Sequence, residues 1–474
     1  MLGGLAEGVF GMAFTMILVR LISQEEFGAW RQFMVLASIV WNVAIFGLPR
    51  SLTYFYSTAK PEEQGAIARR TLFLAMGISV IASAAFYLAL DYAAARFDSP
   101  GLAEQSFLFS TFLGLSFPTF IATSMFVAAN RRSLSALVRF ALSLLKLSSL
   151  VILIWGDASL RTFLLALNGF AVLQFVVLVM LYLKIAGPAL SPLWQNFRAQ
   201  LKFSADVAVQ SMAGQIAIET DKLMVSAAYT PARFASYSVG ARELPLIPLI
   251  PYSIIDSITP DLSRLAVAKK FEDFRDLWHR WIKRTALLMY PVFALVLFQH
   301  KEIITILYTS DYLEGALPLL IIGCMIPMRV TSFYQTSLCL NGSRSVMYAS
   351  IANLIMIASM SWIFLPLFGL WGPALAVLVS EYVINAGLLL WISKAIALPL
   401  KSVLPWGYLS KLLLIAVASG ALALPAVGLI GDAALLWKFL VYGFTLLILY
   451  GAAVMSLSMV SSEDLALLKA RLRR

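Results

Sequence analysis

The chain is a succession of apolar stretches about twenty residues long, separated by short polar breaks. A helix of that length matches the hydrocarbon thickness of a bilayer. The sequence therefore predicts an all-α polytopic membrane protein with about fourteen transmembrane helices. They fall near 2–22, 32–52, 70–92, 106–129, 133–155, 161–184, 204–228, 235–260, 285–307, 313–340, 345–368, 371–393, 406–430 and 437–460. Of the 474 residues 61% are hydrophobic and 13% charged, which excludes an ordinary soluble domain. The first stretch lacks a basic lead and a small-residue cleavage pattern, so it reads as a helix rather than a signal peptide. No large extramembrane loop is present, so any chemistry takes place in or beside the bilayer.

The net charge is +11, and the excess sits mainly between spans, where it suits the inner membrane surface better than nucleic acid. Loops on the side of both termini carry 22 Lys and Arg against seven on the other. The positive-inside rule then puts both termini in the cytoplasm. Two of the cytoplasmic connections are amphipathic. In 190–203, Leu190, Leu193, Trp194, Phe197 and Leu201 share a helical face; in 265–282, Phe271, Phe274, Leu277, Trp278, Trp281 and Ile282 do so. Both read as helices lying in the inner interface, for anchoring or for docking partner enzymes. Cys324 and Cys339 share one apolar segment and would stand about 22 Å apart in a helix, too far to bridge. With His279 and His300 isolated, no metal site is readable.

An internal repeat divides the chain. ANRRSLSA (129–136) returns as LNGSRSVMYAS (340–350), Arg70-Thr71 as Arg284-Thr285, and Phe27-Gly28-Ala29-Trp30 as Phe234-Ala235-Ser236-Tyr237. Taken along the chain the offsets are 207, 214 and 211 residues, and the three matches keep their order. They indicate two six-helix pseudo-repeats plus two extra C-terminal helices. The expected divisions are 1–184 and 203–394 for the halves, 185–202 for an interfacial linker, 405–460 for the extension and 461–474 for a basic tail. Such an architecture places a cavity between the halves, with spans one, two, seven and eight as walls.

Charges inside apolar spans are costly, about 3 kcal/mol each at mid-membrane, and usually face a wet cavity. The stretch 214–260 concentrates them: Glu219, Asp221, Lys222, Arg242, Glu243 and Asp256. Pro245, Pro248 and Pro251 follow, each removing a helix hydrogen bond, and make this segment a candidate hinge beside a polar pathway. Lys222 comes three residues after Glu219, so an intrahelical ion pair competes with any binding role. Lys146 and Arg329 lie mid-span, where an acid in a neighbouring helix is the plain alternative; Glu381 is the acid available to Arg329. Glu7 is the acid within the first six spans that could carry a coupling ion. Arg20 and Arg31 bracket the first outer loop, and Arg50 follows Gly47-Leu48-Pro49; interface anchoring competes with binding for all three.

The segment FTMILVRLISQEEFGAWRQFMVL (14–36) resembles the opening of bacterial polysaccharide-transport proteins, and ETDKLMVSAAYTPARFASYSVGAREL (219–244) resembles the start of their second half. That family belongs to the multidrug/oligosaccharidyl-lipid/polysaccharide exporter superfamily. The resemblance implies a flippase of the bacterial inner membrane. It would carry undecaprenyl-diphosphate-linked oligosaccharide from the inner to the outer leaflet, for O-antigen or exopolysaccharide biosynthesis, by alternating access. It also implies a cationic cavity, for which Arg20, Arg50, Lys146, Lys222, Arg242 and Arg329 are the candidates. Arginine suits phosphate because its guanidinium donates two parallel hydrogen bonds. Glu7, Glu219, Asp221 and Glu381 are candidates for ion coupling or ion pairing. No cofactor is implied; the membrane potential, H+ or Na+ are the candidate driving forces. The implied partners are the lipid-linked oligosaccharide, membrane lipids and polysaccharide polymerase or assembly proteins, with no nucleic acid. The alternative is a cation-coupled small-molecule or drug antiporter of the same superfamily, against which fourteen helices instead of twelve, and cations matching acids in the spans, argue. A membrane polymerase or glycosyltransferase would need a larger loop or an acidic sugar-nucleotide motif, and a pure scaffold would not need buried charges.

Overall fold

A computed structural model describes residues 2–242, 246–429, 431 and 434–459. Among these the chain is helical, with no strand. Ten stretches are long and apolar enough to cross a membrane, one of which, Ser343–Ala395, joins two helices, Ser343–Phe368 and Gly372–Ala395. The helix Leu2–Leu21, the helix Phe197–Ala228 and the broken pair Pro231–Gly240 and Leu246–Val267 bring the passes to fourteen.

The repeated motifs adopt the same local structure in each half. Asn130 and Asn341 both take left-handed backbone, with φ of 57° and 60°, and turn the chain between helices. Asn tolerates that region better than other side-chain-bearing residues. Thr71 and Thr285 are both buried, and each hydroxyl donates to the carbonyl four residues back, at 2.8 Å. Phe27 and Phe234 are both buried near the start of their helices.

The chain packs as two units. The first comprises Met1–Ser238 and Ser350–Ala376. The helix Gln24–Ala44 begins with a capping box, Ser23 and Glu26 exchanging hydrogen bonds. It supplies Trp30 and Phe33 to an aromatic core with Phe86, Phe109, Phe112 and Phe163, with ring centroids 4.5–6.5 Å apart. Span seven, which the repeat makes the opening of the second half, packs here against Gln24–Ala44. The second unit comprises Val239–Ala349 and Val377–Arg474. Its long helix Phe271–Tyr308 carries the extension, the Tyr450 hydroxyl donating to the Leu287 carbonyl at 3.0 Å; within the extension the Tyr442 hydroxyl donates to the Gly420 carbonyl at 3.0 Å and joins its two helices.

Several expected helices are broken or displaced. Span two stops at Ala44 and resumes as Leu48–Thr58, because Phe46 and Gly47 take left-handed φ of 44° and 67° and Gly47 abuts the Ser204 backbone. Span eight breaks after Gly240. Span ten is three short helices, Ala316–Gly323, Ile326–Arg329 and Phe333–Cys339, so no single helix spaces the two cysteines; both are free thiols. The stretch 190–203 is not one helix. Pro188 and Pro192 lack the N–H a helix needs, and the helix begins only at Phe197. The stretch 265–282 is not an interfacial helix either. Residues from Phe271 onward are the first turns of the helix that crosses the membrane, and Phe274, Trp278 and Ile282 are buried in the unit. The row i, i+4, i+8 therefore faces protein rather than lipid.

Candidate functional site

Within the first unit, the helices Ser106–Ala128, Arg132–Trp155 and Leu160–Ala186 enclose a cavity of about 430 Å³. Two cations line it, Arg139 and Lys146, seven residues apart and so on one face of their helix. Seven residues rise about 10 Å, so the pair spans the middle third of the helix. The Lys146 ammonium lies 4.6 Å from the centre of the Phe14 ring, whose negative face favours a cation. Ser116, Thr119, Thr123, Ser143 and Gln174 add polar groups, and among the described residues no Asp or Glu lines the cavity.

Local sequence explains how the wall is built. Pro118 cannot donate to the Gly114 carbonyl one turn back. The Ser79 hydroxyl takes that carbonyl instead, at 2.7 Å, which ties the Pro61–Arg96 helix to the cavity wall. Ser116, Thr123 and Ser143 donate to carbonyls four residues back, at 2.7–3.0 Å, leaving their oxygens as acceptors toward the cavity. Gln174 donates to the Thr119 hydroxyl and so joins two of the three helices. Such a chamber combines fixed positive charge with sugar-like hydrogen-bonding groups.

Of the residues singled out in the sequence, Lys146 lines this cavity. Arg139 is the residue that sequence reasoning passes over; its spacing of seven from Lys146, mid-span, was the available signal. Glu219, Asp221 and Lys222 come together as a buried cluster on Phe197–Ala228. The Lys222 ammonium is 3.2 Å from Asp221 and 3.9 Å from Glu219, and donates to the Ile218 carbonyl at 2.6 Å. Asp221, 2% exposed, also accepts from the Tyr237 hydroxyl at 2.7 Å. The charges in this cluster are thus engaged with one another. Arg20 is exposed at the end of its helix and donates to the Met16 carbonyl; Arg31 donates to the Ser238 hydroxyl at 3.2 Å. Arg50 is exposed on Leu48–Thr58, and none of these three arginines lines the cavity.

In the second unit, Arg242 is exposed just after the helix Pro231–Gly240. Arg329 and Glu381 are half-buried, and both lie within electrostatic reach of the Tyr334 hydroxyl. Asn385 donates to the Glu381 carboxylate at 3.1 Å. Pro251 sits inside the helix Leu246–Val267. Pro245 and the side chains of Pro248 and Glu7 lie outside the described residues, as do Glu243 and the basic tail. Among the described residues, no group of three or more His, Cys, Asp or Glu is arranged to hold a metal ion.

Comparison with known proteins adds to this geometry. A family profile described as polysaccharide biosynthesis protein matches residues 17–317. No curated protein sequence matches significantly. Among solved structures, the lipid II flippase MurJ in an inward-closed conformation superposes with a TM-score of 0.74 at 15% identity, over 96% of this chain and 99% of that one. An inward-facing multidrug resistance MATE transporter of the MOP superfamily follows at 0.69 and 14%, over 82% and 94%. A MOP superfamily transporter from Pyrococcus furiosus, described by the reverse polarity of its binding pocket, matches at 0.54 and 14%, over 84% and 92%. At these identities the likeness is one of fold.

Proposed function

The chain belongs to the polysaccharide biosynthesis protein family, a transporter branch of the MOP superfamily, and from that premise we propose that it flips an undecaprenyl-diphosphate-linked oligosaccharide. Transport runs from the inner to the outer leaflet of the bacterial inner membrane by alternating access, with both termini in the cytoplasm. The observation that carries this reading is the cavity with Arg139 and Lys146 on one helix face, hydroxyls and an amide around them, and no acid among the described residues that line it. A diphosphate brings about two negative charges that cannot cross hydrocarbon alone, and a cationic chamber replaces its lost hydration. The hydroxyls and Gln174 suit the sugar, while the polyprenyl tail remains in lipid. An antiporter of organic cations would be served by carboxylates, and among the described residues none lines this cavity. Arg50, Arg242 and Arg329 are further candidates for contact with the head along its path.

The test is flipping in proteoliposomes of a fluorescent undecaprenyl-diphosphate oligosaccharide, with wild type, Arg139→Ala/Lys146→Ala and Arg50→Ala/Arg242→Ala. A hydrogen bond to a charged group contributes about 1.5–3 kcal/mol, so losing the cavity pair slows flipping at least tenfold. Wild-type protein that moves no diphosphate lipid but expels organic cations under a proton or sodium gradient would place it among the antiporters.

A further inference from the structure

The second unit carries a cleft of about 510 Å³ that the transport reading does not use. One wall is the row Arg275, His279 and Lys283, spaced by four along the helix Phe271–Tyr308. The other is the connection into the extension, with Lys401, Ser402, Trp406 and Tyr408. The two walls are joined: the His279 ring is hydrogen-bonded to the Val403 carbonyl at 2.8 Å, and the Lys283 ammonium lies 5.4 Å from the Tyr408 ring centre.

Charge in the cleft is unbalanced. Arg275 is held by Glu272 at 2.5 Å and Asp276 at 2.9 Å, so it contributes little net charge. Among the described residues Asp276 is the one acid in the lining. Lys283 and Lys401, both exposed, have no carboxylate within 4 Å among the described residues. The helix Trp406–Gly428 also starts here, with Pro405 at its cap and no side chain on its first N–H groups. That end carries partial positive charge. Trp406 is 47% exposed and anchored through its indole N–H to the Leu400 carbonyl at 2.9 Å. Trp and Tyr at the first turn of a spanning helix mark the level of lipid headgroups. Both walls lie on the side with the larger share of loop Lys and Arg, which the positive-inside rule assigns to the inner leaflet.

We propose that this cleft binds the phosphate of an anionic phospholipid of the inner leaflet, held by Lys283 and Lys401 against Trp406. The site goes beyond the flipping reaction. It would hold the two-helix extension to the helix Phe271–Tyr308 through a lipid, and it stands whichever substrate the cavity carries.

The test uses the full chain in detergent, by native mass spectrometry and thermal unfolding, titrated separately with phosphatidylglycerol, phosphatidylcholine and inorganic phosphate. Wild type should retain one phosphatidylglycerol and unfold at higher temperature with it, and respond to neither of the other two. Each lysine near a membrane surface contributes about fivefold to anionic-lipid affinity, so Lys283→Gln/Lys401→Gln should bind about 30-fold more weakly. Lys269→Gln/Lys270→Gln removes the same charge from the neighbouring exposed turn and should leave the retained lipid in place. Equal loss in both double variants would reduce the effect to general surface attraction and overturn the site. Equal stabilisation by inorganic phosphate would overturn the lipid as its ligand. Lys401→Arg, which keeps the charge, should keep the lipid; loss there as well would also overturn the proposal.

Discussion

Arg70 is 1% exposed and gives up all three guanidinium nitrogens to one short segment. It donates twice to the Gln200 side-chain carbonyl, at 3.0 and 2.5 Å, and to the backbone carbonyls of Leu193 and Gln195, at 3.0 and 2.5 Å. The part of this segment before Phe197 is not helix, since Pro188 and Pro192 keep it from becoming one, and Trp194 packs there on Phe73 and Phe197. Arg70→Leu keeps the volume and removes every bond. Gln200 is buried, so its orphaned oxygen loses the full desolvation penalty, about 1–3 kcal/mol. Leu193 is half-buried and Gln195 exposed, so water reaches those carbonyls and each loses only a net bond, about 0.5–1.5 kcal/mol. The sum is about 2–6 kcal/mol, felt locally. The Gln200 amide keeps its bond to Thr71 at 2.9 Å, which anchors the far end. Hydrogen exchange in nanodiscs reads the effect: amides of 193–200 should exchange at least thirtyfold faster in Arg70→Leu, while those of the aromatic core around Trp30 keep their rates. Arg70→Lys should recover only part, because an ammonium cannot reach three acceptors in the guanidinium's plane. Unchanged exchange at 193–200 in Arg70→Leu would refute the reasoning.

Gly28→Ala should lower the melting temperature and the folded yield, because its Cβ would overlap the Pro231 backbone carbonyl, and overpacking of this kind costs about 1–3 kcal/mol or more. Gly101→Ala meets the Ala29 methyl at 3.3 Å and the Leu160 side chain at 3.5 Å, both able to yield, and should change the same melting curve by less than about 1 kcal/mol. Tyr237→Phe removes a hydrogen bond to the buried Asp221 carboxylate and should destabilise by about 1.5–3 kcal/mol in thermal unfolding; Asp221→Ala should cost more, since Lys222 then loses its nearest carboxylate and keeps the Ile218 carbonyl and Glu219 at 3.9 Å. Asn130→Ala and Asn341→Ala should each lose about 1 kcal/mol by the same measurement, because both positions hold left-handed backbone.

The spans were legible because lipid imposes one rule on every residue in them, and a run of apolar side chains reports it directly. The repeat was legible at its turns for a similar reason: the asparagines of ANRRSLSA and LNGSRSVMYAS mark a backbone conformation that few residues accept. The breaks were harder to see. The left-handed turn at Phe46 and Gly47 follows from the approach of the Ser204 backbone, 157 residues away in sequence, and no local pattern announces it. The amphipathic stretch 265–282 showed the right periodicity for the wrong environment. A buried row and a lipid-facing row use the same residues, and only tertiary packing separates Phe274, Trp278 and Ile282 from an interfacial face. The prolines of 188–192 do mark the end of the preceding helix, while the apolar row from Leu190 to Leu201 mimics a helical face across residues that Pro192 keeps out of a helix.

The cations were legible one at a time and not as a set. Lys146 stood out as a lone charge mid-span, and Arg139 was one turn of reasoning away, on the same face at i−7. Their pairing decides how the proposed reaction senses voltage. Both are fixed to the helix Arg132–Trp155, so on the proposed reading they neutralise the diphosphate while it is held and remain behind when it leaves. The charge that crosses the membrane is then the substrate's own. Two negative charges moving outward down an inside-negative potential of about 100 mV gain roughly 4.6 kcal/mol. A bias of that size would drive export without a bound ion, whereas a carrier whose cations crossed with the head would move no net charge. Flipping that accelerates with inside-negative voltage in the absence of proton and sodium gradients distinguishes the first case from the second.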